Sequence, residues 1–413
     1  MKHYASTVSG QGLILALGVV SGIMSARILG PSGRGEFAVV TLWPISIANV
    51  ICLGLNQAIS FNIGRRTFTV SEVATATFVI AMVQSAVCIC IYPILAHFAF
   101  HNYSREVHTL GILFVLFMPA YFLGGYSSNF FQGVQDLTRF NLIRIVTPLV
   151  FAAGLVAIYL TRKASLSLAV FSQLAGYIAT LVIGLFLVFR SLTPRFKWNP
   201  RAISGLVDYG YRTQATNLAN FFNQRIDQLL LSLMVPTQQL GYYAVAVTLS
   251  TSVTVFSQAA GIVTFSKGAS QHSDDARITI GRSFRASLVC LVLGCVLIYV
   301  AAPLLIGVVF GSAFGGSISA CRILLPGSVM LGLNQVLYNG ASALGKPGLP
   351  SVAEGFGMLV TALGLYILVP RYGYIGAAIV SSAAYTSSFI AMLLLGRRSL
   401  GLNVRTLLFG QGA

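Results

Sequence analysis

The sequence predicts an all-α polytopic membrane protein with about twelve transmembrane helices. Of its 413 residues, 56% are hydrophobic and only 8% are charged, against roughly 25% charged in soluble domains. Uncharged stretches such as 37–64, 73–104 and 286–321 exceed the ~20 residues that cross a bilayer. They lack the alternation of polar and apolar residues that marks barrel strands, so helices are predicted.

The apolar segments between turns and basic residues define twelve predicted spans. They lie at 6–29, 36–60, 74–97, 108–132, 139–160, 166–189, 206–234, 240–264, 283–310, 320–344, 349–369 and 373–396. Lys and Arg remain preferentially on the cytoplasmic side of a membrane. With twelve spans, the termini and the even-numbered connections carry most of the 26 Lys and Arg residues. Both termini are therefore predicted to be cytoplasmic.

The net charge of +17 is explained without a nucleic-acid partner. The basic residues lie in short connections between spans, where membrane topology and anionic lipid headgroups account for them. The six cysteines have neither the spacing of a metal site nor that of a secreted disulfide framework. We therefore expect no nucleic-acid binding and no metal site.

An internal repeat predicts two halves. Pro31 and Gly35 in the stretch ARILGPSGRGEFAVV correspond to Pro236 and Gly241 in VPTQQLGYYAVAVTL, half the chain length away. Turns that contain Pro and Gly also recur by chance, but the basic linker 190–205 lies at the midpoint. The predicted domains are an N-terminal six-helix lobe (1–189), this linker and a C-terminal six-helix lobe (206–413). Such duplication is common in transporters whose lobes enclose a central cavity.

The seventh predicted span, 206–234, is unusually polar for a membrane helix. Its charged residues are Asp208, Arg212, Arg225 and Asp227, each of which costs ~2.5–3.5 kcal/mol at the bilayer centre. Polar residues at three- and four-residue intervals share one helical face: Thr213, Thr216, Asn217, Asn220, Asn223, Gln224 and Asp227. This face lines either a cavity or a contact with another helix.

Three stretches resemble a known family. They are SARILGPSGRGEFAVVTL, FFQGVQDLTRFN and NQRIDQLLLSLMVPTQQLGYYAVA, and they are similar to Wzx-like polysaccharide flippases of the multidrug/oligosaccharidyl-lipid/polysaccharide exporter superfamily. The resemblance implies two six-helix lobes around a central cavity. It also implies a multi-pass protein of the bacterial plasma (inner) membrane. Its substrate would be an undecaprenyl-pyrophosphate-linked oligosaccharide, moved from the inner to the outer leaflet.

A pyrophosphate substrate requires cationic ligands, and Arg suits phosphate because it offers a planar fork of donors. The candidates are Arg212, Arg225 and Arg27. Arg27 is included because related proteins place an Arg at the end of their first helix, although it could equally extend its charge to the membrane interface. Arg225 lies off the polar face and faces either the cavity or another helix. Asn217, Asn220, Gln224 and Asp227 are the candidate sugar ligands.

Glu354 lies about five residues into the eleventh predicted span. It is a candidate for binding a coupling proton or sodium ion, or it lies among lipid headgroups. The expected partners are the polyprenyl-pyrophosphate oligosaccharide, membrane lipids and a polysaccharide polymerase or ligase.

Two other functions are compatible with a polytopic membrane protein. An ion-coupled drug or cation exporter of the same superfamily would more naturally place carboxylates at its binding site. A membrane enzyme acting on the same lipid carrier would need a catalytic cluster, yet the five histidines lie at a terminus or in connections and no nucleotide-binding signature is present. We therefore predict alternating-access transport without catalysis.

Overall fold

The computed structural model describes residues 2–100, 103–268, 273–346, 348–401 and 404–409. Its helices, α1 to α14 in chain order, are Lys2–Ile51, Leu55–Gly64, Val70–Ala99, Arg105–Leu116, Met118–Gly133, Leu137–Thr161, Leu166–Leu192, Pro200–Met234, Thr237–Thr251, Val255–Gly268, Ser273–Leu305, Ser317–Ala343, Gly348–Leu400 and Val404–Phe409. The described ranges contain no strand, and the all-α prediction is confirmed.

Two of these helices are each long enough for two membrane spans. α1 has 50 residues and α13 has 53, and non-helical backbone angles at Gly30 and Gly373 divide them. Among the described residues, eight helices are long and apolar enough to cross a membrane, or nine if α4 and α5, bent by 44°, form one span. Dividing α1 and α13 at their glycines and adding the more polar α8 gives the twelve predicted spans. The chain is a multi-pass membrane protein.

Side chains determine where several helices begin. At the start of α3, the Thr69 side chain accepts the Glu72 N–H (3.4 Å) while the Glu72 carboxylate accepts the Thr69 N–H (2.9 Å). At the start of α6, the Asp136 carboxylate accepts the Arg139 N–H at 3.1 Å. These contacts satisfy backbone donors that the first turn of a helix leaves free.

The chain divides into two compact units, and the divisions between them fall inside helices α1 and α8. Unit 1 comprises Met1–Leu29 and Glu36–Leu218, and unit 2 comprises Gly30–Gly35 and Ala219–Ala413. In unit 1, α7 packs along α6 and α5; in unit 2, α12 packs along α13 and against α9, α10 and α11. The lobes 1–189 and 206–413 and the linker 190–205 stay a prediction.

Candidate functional site

Unit 1 contains a cavity of about 410 Å³ whose mostly apolar wall carries several polar groups, and this volume is within the range of roughly 300–1,000 Å³ typical of ligand sites. Both halves of α1 contribute to its wall, together with α2, α5, α6 and α7. Its lining residues, which define what we call the polar cavity, are Ile14, Ala48, Asn49, Cys52, Asn56, Ala120, Tyr121, Phe122, Gly124, Gly125, Tyr126, Ser128, Ile143, Arg144, Thr147, Pro148, Tyr177 and Thr180.

Arg144 is the charged side chain in this lining; the other described lining residues are neutral. It lies on α6, and its guanidinium donates to the Gln11 side-chain oxygen at 3.0 Å. The guanidinium also lies over the Phe140 ring, 4.9 Å from the ring centre, in the range of a cation–π contact. One hydrogen bond uses a small part of the five donors that a guanidinium carries. The remaining donors of Arg144 can therefore bind an anion or several hydroxyl groups.

The neutral polar groups of the cavity are held in place by hydrogen bonds across helices. The Thr147 and Thr180 hydroxyls are 2.6 Å apart, linking α6 to α7. The Asn129 amide donates to the Asn56 side-chain oxygen at 2.9 Å, linking α5 to α2. Fixed hydroxyl and carboxamide groups are suited to binding a ligand that is itself rich in hydroxyl groups, because such groups both donate and accept.

One wall of the polar cavity is a broken helix. The second half of α1 ends at Ile51 and α2 begins at Leu55. Between them, Leu53 and Gly54 adopt left-handed backbone angles with φ of 49° and 65°. At Gly54 a side chain would also collide, because a Cβ there would lie 2.3 Å from the Gly210 carbonyl oxygen. The break leaves carbonyl groups of the last α1 turn without helical partners.

Two glutamines satisfy these carbonyls. The Gln84 amide donates to the Ile51 oxygen at 2.9 Å and to the Cys52 oxygen at 3.1 Å. The Gln214 amide donates to the Asn49 oxygen at 2.7 Å. Tyr126, a lining residue, donates its hydroxyl to the Gln84 side-chain oxygen at 2.7 Å. In lipid a free backbone carbonyl costs several kcal/mol, so these side chains hold the break open as a defined structure.

Asp227, a predicted sugar ligand, lies in unit 2 within a buried network. Its exposed fraction is 2%. The carboxylate accepts hydrogen bonds from the Tyr243 hydroxyl on α9, from the Ser381 hydroxyl on α13 at 3.0 Å, and from the Gln228 N–H at 2.7 Å. These hydrogen bonds connect α8 with α9 and α13, and the role of Asp227 as a sugar ligand stays a prediction.

Glu354 is also buried in unit 2, with 7% of its surface exposed. Its carboxylate accepts a hydrogen bond from the Asn334 amide of α12 at 3.0 Å. It therefore lies in the protein interior and not among lipid headgroups. Among the side chains that the structure describes, unit 2 therefore has two buried carboxylates, Asp227 and Glu354.

The predicted arginines lie in different units. Arg212, in unit 1, is exposed and pairs with Asp208 one helical turn earlier, at 2.9 Å. Arg27 is an exposed residue of unit 1. Arg225 belongs to unit 2, where its positive charge repels that of Arg34 in the turn after the first predicted span. Sequence analysis placed Arg34 in a connecting turn and gave it no role.

The polar face predicted on the seventh span is divided between the two units within α8. Asn217, in unit 1, accepts a hydrogen bond from the Gln57 amide at 3.3 Å. Gln224, in unit 2, is exposed. The side chain of Asn220 lies outside the part of the chain whose side chains the structure describes. Among the described lining residues of the polar cavity, none is a predicted site residue.

Arg144 was not predicted as a site residue, because it lies near the start of the fifth predicted span (139–160) and was counted with the basic residues of the preceding connection. A usable signal was nevertheless present. Asn141, Arg144 and Thr147 recur every three residues ahead of Pro148, which places polar groups on neighbouring positions of a helix whose following residues are apolar. Regular spacing of polar residues inside a span indicates a helix face that points into the protein. This spacing is a better guide to the role of Arg144 than its position near the end of the span.

The helical fold of the chain is similar to that of solved membrane transporters. A lipid II flippase MurJ structure in an inward-closed conformation matches with a TM-score of 0.79 at 13% identity, covering 94% of this chain and 86% of that one. An inward-facing multidrug resistance MATE family transporter matches with a TM-score of 0.78 at 15% identity, covering 94% of both chains.

The chain belongs to the polysaccharide biosynthesis protein family, whose model matches residues 1–265. The probable low-salt glycan biosynthesis flippase Agl15 of Haloferax volcanii is 24% identical over 274 residues, which are 63% of this chain and 56% of that protein. Matches to curated relatives extend over 56% to 64% of their length, so this chain spans little more than half of them. The resemblance found in the sequence is confirmed.

Proposed function

We propose that this protein is a flippase that moves undecaprenyl-pyrophosphate-linked oligosaccharide units from the inner to the outer leaflet of the bacterial plasma membrane. The observation that carries this proposal is the charge of the polar cavity. Its described lining combines one guanidinium with carboxamide and hydroxyl groups and includes no carboxylate. Such a lining favours an anionic, hydroxyl-rich ligand over an organic cation.

The chemistry of a lipid-linked glycan matches these groups. Its pyrophosphate carries negative charge for Arg144, and its sugars carry hydroxyl groups for Asn49, Asn56 and Thr147. A cavity of about 410 Å³ accommodates part of such a headgroup. The family membership and the relationship to Agl15 support the same substrate class. Arg27, Arg212, Asn217, Asn220, Gln224, Arg225 and Asp227 stay predicted substrate ligands.

Transport by alternating access needs a source of direction, because ligand binding shifts a conformational equilibrium only through a difference in affinity. We propose a proton or sodium gradient, with Glu354 as the residue that binds the ion, or consumption of the product by a polymerase or ligase. Both termini are proposed to be cytoplasmic, as the distribution of Lys and Arg predicts.

The test is transfer of a fluorescent undecaprenyl-pyrophosphate oligosaccharide across proteoliposomes. We expect the wild-type protein to transfer this lipid and Arg144→Ala to lower the rate about tenfold or more, because a charge-assisted bidentate contact is lost. Arg144→Lys should recover part of the rate, since it keeps the charge without the fork. Arg190→Ala is the matched control, because Arg190 is an exposed arginine of unit 1 that lies over Phe186.

Arg212→Ala and Arg225→Ala in the same assay test the sites predicted from sequence. Thermal melting of each variant separates a loss of transfer from a loss of folding. A wild-type protein that transfers no lipid but exports small organic cations would exclude the flippase and establish the ion-coupled drug or cation exporter. Undiminished transfer by folded Arg144→Ala would remove the polar cavity as the headgroup site.

A further inference from the structure

Unit 1 contains a second, mostly apolar cleft of about 290 Å³. It is bounded by α3, α5, α7 and the chain segment that joins α7 to α8. Its lining residues, which define what we call the lateral cleft, are Ala74, Thr75, Thr77, Phe78, Leu123, Tyr126, Ser127, Phe130, Leu185, Val188, Phe189, Pro194, Arg195 and Phe196. Four phenylalanines and four aliphatic side chains make it a site for hydrocarbon.

The joining segment forms a fixed wall of this cleft. Its backbone N–H groups at Arg195 and Lys197 donate to the Ser71 and Thr75 hydroxyls of α3, each at 3.0 Å. The Lys197 ammonium pairs with the Glu72 carboxylate at 3.0 Å, and the Asn199 amide donates to the same carboxylate at 3.1 Å. Four contacts to the first turns of α3 therefore hold an extended segment in place.

The rim of the cleft is basic and aromatic. Arg195 lines the cleft and is exposed, and among the described residues its guanidinium makes no ion pair. Phe196 is 81% exposed and Trp198 is 57% exposed on the same segment. Aromatic residues interleaved with Lys and Arg are typical of the interface between hydrocarbon and headgroups, where basic residues attract anionic lipids. The rim thus complements a negatively charged headgroup above a hydrocarbon chain.

The lateral cleft and the polar cavity lie on opposite faces of α5. Leu123, Ser127 and Phe130 line the cleft, whereas Tyr121 and Ser128 line the cavity. At 3.6 residues per turn, these two sets point in opposite directions, and the buried Tyr126 belongs to both walls. The hydrocarbon tail of a substrate in the polar cavity would have to cross α5 to reach the cleft. A second lipid molecule can occupy the cleft without such a crossing.

We propose that the lateral cleft binds one acyl chain of an anionic membrane phospholipid, whose phosphate is held by Arg195. This lipid is distinct from the transported substrate, so the proposal does not rest on the proposed function. Binding of this lipid does not depend on transport. The lipid belongs to the membrane leaflet next to the segment that joins α7 to α8.

The test is native mass spectrometry of the full chain released from detergent after incubation with phosphatidylglycerol, phosphatidylethanolamine or undecaprenyl phosphate. We expect one phosphatidylglycerol to be retained, in preference to the other two lipids. Ala74→Phe, which fills the cleft, should abolish this retention. Arg195→Gln should lower the affinity for phosphatidylglycerol about fivefold, equivalent to about 1 kcal/mol for one basic residue at an anionic surface.

Arg201→Gln is the matched control, because Arg201 is an exposed residue at the start of α8 and does not line the cleft. It should retain phosphatidylglycerol like the wild-type protein. Thermal melting confirms folding, and Ala74→Leu provides a smaller filling variant should Ala74→Phe fail to fold. Equal retention of the two phospholipids, or full retention by folded filling variants, would overturn the proposal. Preferential retention of undecaprenyl phosphate would overturn it too and assign the cleft to the carrier lipid.

Discussion

Within unit 2, Gly35 packs against the turn that precedes Gly241, and Gly241 packs against the turn that precedes Gly35. A Cβ on Gly35 would lie 1.9 Å from the Thr237 carbonyl oxygen, and a Cβ on Gly241 would lie 1.9 Å from the Pro31 carbonyl oxygen. These are the two turns that the internal repeat aligns. A contact in which each copy of a motif offers the same surface to the other is what a two-fold relationship produces. The repeat found in the sequence therefore corresponds to a direct contact between its copies.

Gly35→Ala and Gly241→Ala are each expected to destabilise the protein. The added Cβ meets a backbone carbonyl, which cannot rotate away as a side chain does, so the two turns must separate. Overpacking of this kind typically costs about 1–3 kcal/mol. The measurement is the thermal melting temperature in detergent. Gly18→Ala is the control, since a Cβ there meets nothing within 4 Å, and its melting temperature should not fall. A Gly241→Ala protein as stable as Gly18→Ala would refute the close contact.

Gln84→Leu and Gln214→Leu should each destabilise unit 1. Leucine keeps much of the side-chain volume but donates no hydrogen bond, so carbonyls of the broken helix lose a partner. An unsatisfied buried acceptor costs about 1–3 kcal/mol. Equilibrium unfolding in a denaturing detergent measures the change in the free energy of unfolding.

The control for this pair is Gln258→Leu, because the one contact of the Gln258 amide among the described residues is a long one of 3.5 Å with the Thr254 hydroxyl. It should change the free energy of unfolding by less than either of the other two substitutions. If all three changes are equal, the glutamines contribute through general packing and not by capping the break.

The Asp227 network predicts energetic coupling between Asp227 and Tyr243. Asp227→Asn keeps the shape of the side chain but weakens its acceptor, and Tyr243→Phe removes the donor. Because both substitutions break the same hydrogen bond, the double variant should be more stable than the two separate losses imply, by about 0.5–3 kcal/mol. A double-mutant cycle on the free energy of unfolding measures this difference.

Tyr242→Phe is the matched control for the cycle. The Tyr242 hydroxyl accepts from the exposed Gln238 at 2.8 Å and has no hydrogen bond to Asp227 among the described contacts. Its effect should add to that of Asp227→Asn without coupling. Additive effects for Tyr243→Phe as well would contradict the network.

Glu354→Gln separates the ion-binding proposal from a structural role. The glutamine side-chain oxygen can still accept the Asn334 hydrogen bond, so the melting temperature should change little. The substitution removes the only negative charge of this side chain, so dependence of lipid transfer on an imposed proton or sodium gradient should disappear. Transfer into proteoliposomes with and without each gradient is the measurement. A gradient dependence that survives in the folded variant would rule out Glu354 as the coupling residue.

That the chain forms many long apolar helices was predictable because hydropathy and helix length are local properties of the chain. The break at Leu53 and Gly54 was not predicted, since it interrupts an apolar run that is long enough to span the membrane by itself. Its stability depends on Gln84 and Gln214, which lie far away in sequence. Propensity within one segment contains no information about such partners.

The site was less accessible from sequence. Periodicity identified the polar face of the seventh span, but it did not distinguish a cavity wall from a contact between helices. The hydrogen-bond partners of Asp227, Tyr243 and Ser381, lie on two other helices, α9 and α13. Arg144, near the start of the fifth predicted span, was counted with the preceding connection because topology rules use the position of a charge along the chain and not the direction of its side chain.

By itself, the sequence determined that this is an all-helical, multi-pass membrane protein with an internal repeat and a family resemblance. Low charge, long apolar runs and turn residues determine structure within single segments, so they can be interpreted without knowledge of the fold. Only the tertiary structure decided that Arg144 lines a cavity, that Asp227 is buried against Tyr243, and that Gly35 meets the turn before Gly241. These relationships join residues distant along the chain, because burial and hydrogen bonding depend on which helices become neighbours.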